Sequence, residues 1–131
     1  MLGRRINSTN DYRVRVRFNA NGSVGLTLGG LKGSNTLTAL SASVTVPGLT
    51  YTPGQQLELR LQVTGTNPTA LRARVWPTGQ AEPTTWLVST TDSFAGLQVA
   101  CAVGLQPDLS SSNTNAPIVI RIDNLVARPT A

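Results

Sequence analysis

Trp76 and Trp86 bracket a loop over residues 77–83, and with Tyr51 they are the aromatic side chains that could stack on the apolar face of a sugar ring. Two tryptophans so placed also serve simply to pin a long loop to the body of a fold. Arg13, Arg15 and Arg17 recur at every second position, as do Arg72 and Arg74, with Arg60 on a neighbouring segment. If these segments share a sheet, the six arginines form a basic stripe suited to a phosphate backbone, a sulfated or uronic glycan, or an acidic protein face. A solvated strand face explains the same residues. Recognised RNA-binding signatures and a helix for the major groove are both missing, so nucleic acid is not the expected partner; an acidic protein surface is preferred.

The remaining chemistry is sparse. With no His there is no imidazole base, and one Cys provides neither a disulfide framework nor a thiolate cluster. Glu58 and Glu82 are the only glutamates, and nothing in their spacing brings them across one cleft as a glycosidase requires. Asp108, Asn113, Asn115, Asp123 and Asn124 offer oxygen ligands, but their spacing matches no calcium loop and turn chemistry explains them. Cys101 falls in phase with Val99 and Val103, as a small buried hydrophobe would. No catalytic residue, metal site or cofactor is expected, and the chain is read as not an enzyme.

These side chains must be positioned by strands. Short runs rich in Val, Leu, Ile and Thr alternate with polar residues between Gly, Pro, Asn and Ser punctuation, and no segment shows a helical period. Over residues 11–18, Tyr12, Val14, Val16 and Phe18 face one way and the arginines the other. Residues 19–22 turn the chain into a returning strand over 23–29, followed by a Gly-rich loop over 29–35. A less regular strand spans 36–46, with a bulge near 39–42 and an end at Pro47-Gly48. Residues 56–64 and 70–76 form a second hairpin through Gly65-Thr66-Asn67-Pro68. Further strands are predicted at 86–91, 97–105 and 116–127, the last with Ile118, Ile120 and Ile122 in phase. About eight strands at this spacing predict an all-β, two-sheet antiparallel β-sandwich of jelly-roll type. The expected organisation is an N-terminal arm over 1–10, the sandwich over 11–127 and a C-terminal tail over 128–131.

At 131 residues the chain can bury roughly two-thirds of its unfolded surface in one core. Eleven basic residues, all Arg except Lys32, against six acidic ones give +5, which favours an acidic partner without choosing among them. No apolar run approaches the roughly 18 residues of a spanning helix, and no hydrophobic leader follows Met1, so a soluble chain without an export signal or membrane partner is expected.

The run from Leu59 through Asn67-Pro68 to Val75-Trp76-Pro77 is distinctive. So are Glu82-Pro83, Trp86, Thr91-Asp92, Val103-Gly104-Leu105, Leu109-Ser110-Ser111-Ser112 and Asn115-Ala116-Pro117, in that order. Together they resemble a laminin G-like, concanavalin A-like jelly-roll domain, of a type found in secreted proteins of actinobacteria and in virion proteins of their phages. The resemblance runs from Gly3-Arg4-Arg5 to Leu125. It implies a fold that hosts sugar binding, protein binding and purely structural roles. Such domains usually have several more strands before the segment matching Gly3-Arg4-Arg5. A sandwich missing those strands would expose sheet edges and part of its inner face, favouring self-association or docking on a larger assembly; the alternative is that Met1 is not the native start. The resulting expectation is a structural or adhesive protein on the virion surface, a head decoration or small tail-associated component. Its partners would be other virion proteins, itself, or a cell-surface glycan. The alternative is a secreted carbohydrate-binding module.

Overall fold

A computed structural model describes residues 1–130. Nine strands run in the order β1 (Leu2–Asn7), β2 (Asn10–Phe18), β3 (Ser23–Lys32), β4 (Leu37–Ala39), β5 (Val44–Thr50), β6 (Leu57–Thr64), β7 (Thr69–Pro77), β8 (Val88–Asp92) and β9 (Ala102–Gly104), with one 3-10 turn at Ala95–Leu97. They form two antiparallel sheets. The larger has the order β4-β3-β2-β1-β9, with β5 also pairing β3; the smaller has the order β6-β7-β8. This is the predicted all-β sandwich.

The two hairpins form as the alternation dictates. β2 and β3 pair without interruption from Asn10↔Lys32 to Phe18↔Val24, and β6 and β7 from Leu57↔Pro77 to Thr64↔Ala70. One face of each is apolar, and the faces meet: Tyr12, Val14, Val24, Leu26 and Leu28 of the large sheet pack against Leu71, Ala73, Val75 and Val88 of the small one. Pro77 lies opposite Leu57, at a pair where the β6–β7 ladder needs no N–H from it.

Several expectations are corrected. Residues 1–10 are not a free arm, since β1 sits inside the large sheet between β2 and β9. Gly29 and Gly30 belong to the C-terminal half of β3 rather than to a loop. A Cβ on Gly30 would lie 2.6 Å from the Asp11 carbonyl oxygen, so only glycine lets β3 run this close to β2. The strand expected over 36–46 is split into β4 and β5, and β5 runs through Pro47-Gly48, which an edge strand tolerates. Phe18 is 53% exposed and packs on Tyr51 with ring centroids 4.6 Å apart, so it is not a core residue. The strand expected over 97–105 contracts to β9, and Cys101 is exposed rather than buried.

The largest departure is at residues 116–127. They form no strand, and every one of them is exposed, Val119 to 78% and Ile120 to 50%.

The outer face of the large sheet is not uniformly wet. Leu2, Asp11 and Leu31 are buried, yet Leu2 and Leu31 stand outside the interlayer core. Their pairing, Leu2↔Arg13 and Asp11↔Leu31, puts them on the side opposite Tyr12 and Val14. Asp108 reaches Arg15 at 3.8 Å on this side, so the chain after β9 passes over it.

Candidate functional site

The six predicted arginines are not brought together. Arg13, Arg15 and Arg17 lie on β2 in the large sheet, whereas Arg60, Arg72 and Arg74 lie on β6 and β7 in the small one. Because the sheets pack inner face to inner face, the two sets point away from each other on opposite outer surfaces. Arg13 is also committed to a fork on the buried Asp11 carboxylate, with Nε at 2.7 Å and Nη2 at 2.5 Å, and its side chain is largely covered. Only Arg15 and Arg17 remain exposed on that face.

On the small sheet the arginines hold a loop. Arg74 donates from Nε to Glu82 Oε1 at 2.7 Å and from Nη1 to the Pro83 carbonyl, and Arg60 Nε lies 3.0 Å from the same carboxylate. The Trp86 ring sits beneath two guanidinium carbons, Arg72 at 4.7 Å and Arg74 at 4.3 Å. Trp76, half-buried on β7, shares the arginines' side of the strand. The loop between the tryptophans is thus folded over the small sheet. Tyr51 lies against Phe18 instead. Glu82 is occupied by Arg60 and Arg74, while Glu58 stands exposed on β6 opposite Trp76. Among the described residues, no group of three or more His, Cys, Asp or Glu side chains is placed to hold a metal ion.

A polar network that sequence reading missed ties the layers together. Tyr12 donates its hydroxyl to Asp92 Oδ2 at 2.6 Å, Lys32 Nζ donates to Oδ1 at 2.6 Å, and the Phe94 N–H donates to Oδ2 at 3.0 Å. Gln98 Nε2 donates to the Tyr12 oxygen at 3.1 Å, while its Oε1 accepts from Thr69 Oγ1 at 2.9 Å. Arg4 Nη1 in turn donates to Thr69 Oγ1 and to the Leu97 carbonyl, at 2.8 and 2.9 Å. Burial opposes the charge on Asp92, but the hydrogen bonds from Lys32, Tyr12 and the Phe94 N–H prevail and hold its carboxyl below the usual range. Burial, reinforced by the Asp92 carboxylate, pushes the Tyr12 phenol well above its ordinary value. The one signal in the sequence was Tyr12 itself: an inward tyrosine needs a partner for its hydroxyl. Among the described residues, no buried side-chain polar atom lacks a hydrogen-bond partner, which makes the network structural.

What remains unpartnered is apolar. β6 is an edge of the small sheet, and its inward residues Leu57, Leu59, Leu61 and Val63 are only half-buried. Among the described residues, no backbone hydrogen bond joins residues 114–130 to another segment. Ile118, Val119, Ile120, Ile122, Leu125 and Val126 are exposed on both sides of that stretch. The chain then returns, with Arg128, Pro129 and Thr130 beside Gly3, Arg4 and Val63.

The class of protein defined by these features is a two-layer antiparallel β-sandwich with an open edge and an unpaired apolar segment. No family model, no curated protein and no solved structure matches the chain.

Proposed function

We propose that this chain is a non-enzymatic, adhesive β-sandwich of an actinobacterial phage virion, a head decoration or small tail-associated protein that works by attaching to a larger assembly. The observation that carries the reading is the exposed apolar segment over residues 116–127 in a molecule that also presents an unpaired sheet edge, a combination that favours association. The laminin G-like resemblance supplies the virion setting. Attachment draws on strand pairing and apolar burial, with Arg15 and Arg17 steering approach to an acidic surface. The carbohydrate-binding alternative draws no support from Trp86, whose ring is already engaged by Arg72 and Arg74.

The test is mass spectrometry of purified particles of the phage that encodes the chain, followed by binding of purified protein to particles lacking it. The expected result is a fixed copy number per particle and saturable rebinding. Absence from particles, together with glycan-array hits lost on Trp76→Ala, would replace this reading with the alternative.

A further inference from the structure

The open edge and the unpaired segment are complementary to each other. In the β6–β7 ladder the Thr78 N–H donates to the Gln56 carbonyl at 3.0 Å, which fixes Gln56, Glu58, Arg60, Gln62 and Thr64 as the residues bonded to β7. The N–H and C=O groups of Leu57, Leu59, Leu61 and Val63 therefore point out of the sheet. The same four residues turn half-covered side chains toward the core. An added strand would satisfy both deficits, provided it alternates in the same phase.

Residues 116–122 place their isoleucines in that phase, up to Asn124, which breaks it. With Ile118 opposite Leu61, Ile120 opposite Leu59 and Ile122 opposite Leu57 in antiparallel register, three isoleucines extend the inner face and Arg121 falls opposite Glu58 on the outer one. Pro117 then falls opposite Gln62, whose backbone groups face β7, so its missing N–H is not required.

We propose that residues 116–122 of one copy add as an antiparallel strand to the β6 edge of a second copy. The partner is another molecule of this chain because of where the segment is tethered. Asp108, 3.8 Å from Arg15, places the chain after β9 over the outer face of the large sheet. Residues 128–130 lie at the Val63 corner of the molecule's own edge, where the antiparallel register requires Ala116. Reciprocal exchange moves both tails at once and leaves each edge free to receive the other. This goes beyond virion attachment and names one partner within that reading; a protein that is monomeric in solution can still bind particles, so the two fail separately.

Sedimentation velocity and light scattering on the full chain over a wide concentration range test it. The expected species has a multiple of the 13.8 kDa chain mass. Ile120→Lys, at an exposed position that leaves the sandwich intact by circular dichroism, is expected to weaken association at least tenfold. Glu58→Arg is expected to weaken it severalfold by setting like charges opposite each other, and Glu58→Arg with Arg121→Glu to restore it. A wild-type chain that is monomeric throughout, association indifferent to Ile120→Lys, or failure of the double exchange to restore what Glu58→Arg removes would each overturn the proposal.

Discussion

β2 and residues 116–122 both place apolar side chains at every second position and have opposite fates. In β2, Tyr12 and Val14 lose all but 1% of their exposure between two neighbouring strands and a facing sheet. In the C-terminal segment, Ile118, Ile120 and Ile122 recur at every second position and remain open to solvent. The difference lies in what stands beside each. β2 is joined by a tight turn to a strand of matching phase, so its register is set locally. The C-terminal segment follows a long polar stretch with no adjacent partner in sequence, and alternation alone makes it ready to pair without specifying with what.

That contrast can be broken or sharpened by substitution. Leu26→Ala, fully buried on β3, is expected to cost about 3 kcal/mol in urea denaturation, through lost transfer energy and a residual cavity. Next comes Asp92→Asn, which leaves Lys32 without its carboxylate and weakens the bond to Tyr12; a loss of about 2 kcal/mol is expected by the same measurement. The wild-type contribution depends on pH with a definite sign. Asp92 holds its proton less tightly when folded, so its stabilisation is complete above about pH 4 and fades as pH falls through the folded value. The Asn variant is expected to show a shallower acid limb.

Tyr12→Phe removes one hydroxyl from the same network, at about 1 kcal/mol near neutral pH. The Tyr12 phenol is held protonated in the folded state, so the unfolded chain releases that proton first and stability falls as pH rises past about 10. Thermal melts across alkaline pH are expected to show this limb in the wild type and a flatter one in the Phe variant. Arg74→Met is expected to change global stability by no more than about 1 kcal/mol while red-shifting tryptophan emission, because the loop carrying Glu82 and Trp86 loses its anchor. The smallest effect is assigned to Ile120→Ala in dilute protein: within about 0.5 kcal/mol, although Ile118, Ile120 and Ile122 recur at every second position as the apolar residues of β2 do. A large loss there would mean the segment is packed within its own chain.

Legibility followed locality. Both hairpins could be read because each strand's partner lies a few residues away and polar turn residues mark the join. Gly29-Gly30 looked like a loop because composition registers the missing side chain and not the neighbour that requires it, here the Asp11 carbonyl. Phe18 kept the right phase but sits where no opposing layer covers it, and Cys101 falls just before β9, outside any strand. The arginine stripe failed for a related reason: each alternation was right, but which hairpins share a sheet is a long-range choice, and here they do not. The loop anchored by Arg74 was legible only as the plainer of two readings of Trp76 and Trp86.

By itself the sequence determined the fold class, the phase of the principal strands and the poverty of catalytic groups, because side-chain alternation and residue inventory are properties of the chain alone. The tertiary structure decided which sheet each hairpin joins, that Tyr12, Lys32 and Asp92 meet across the layers, and that one edge of β6 and residues 116–127 are left without a strand partner. Those outcomes depend on which surfaces far apart in the chain come to cover one another, and local pattern carries no record of that.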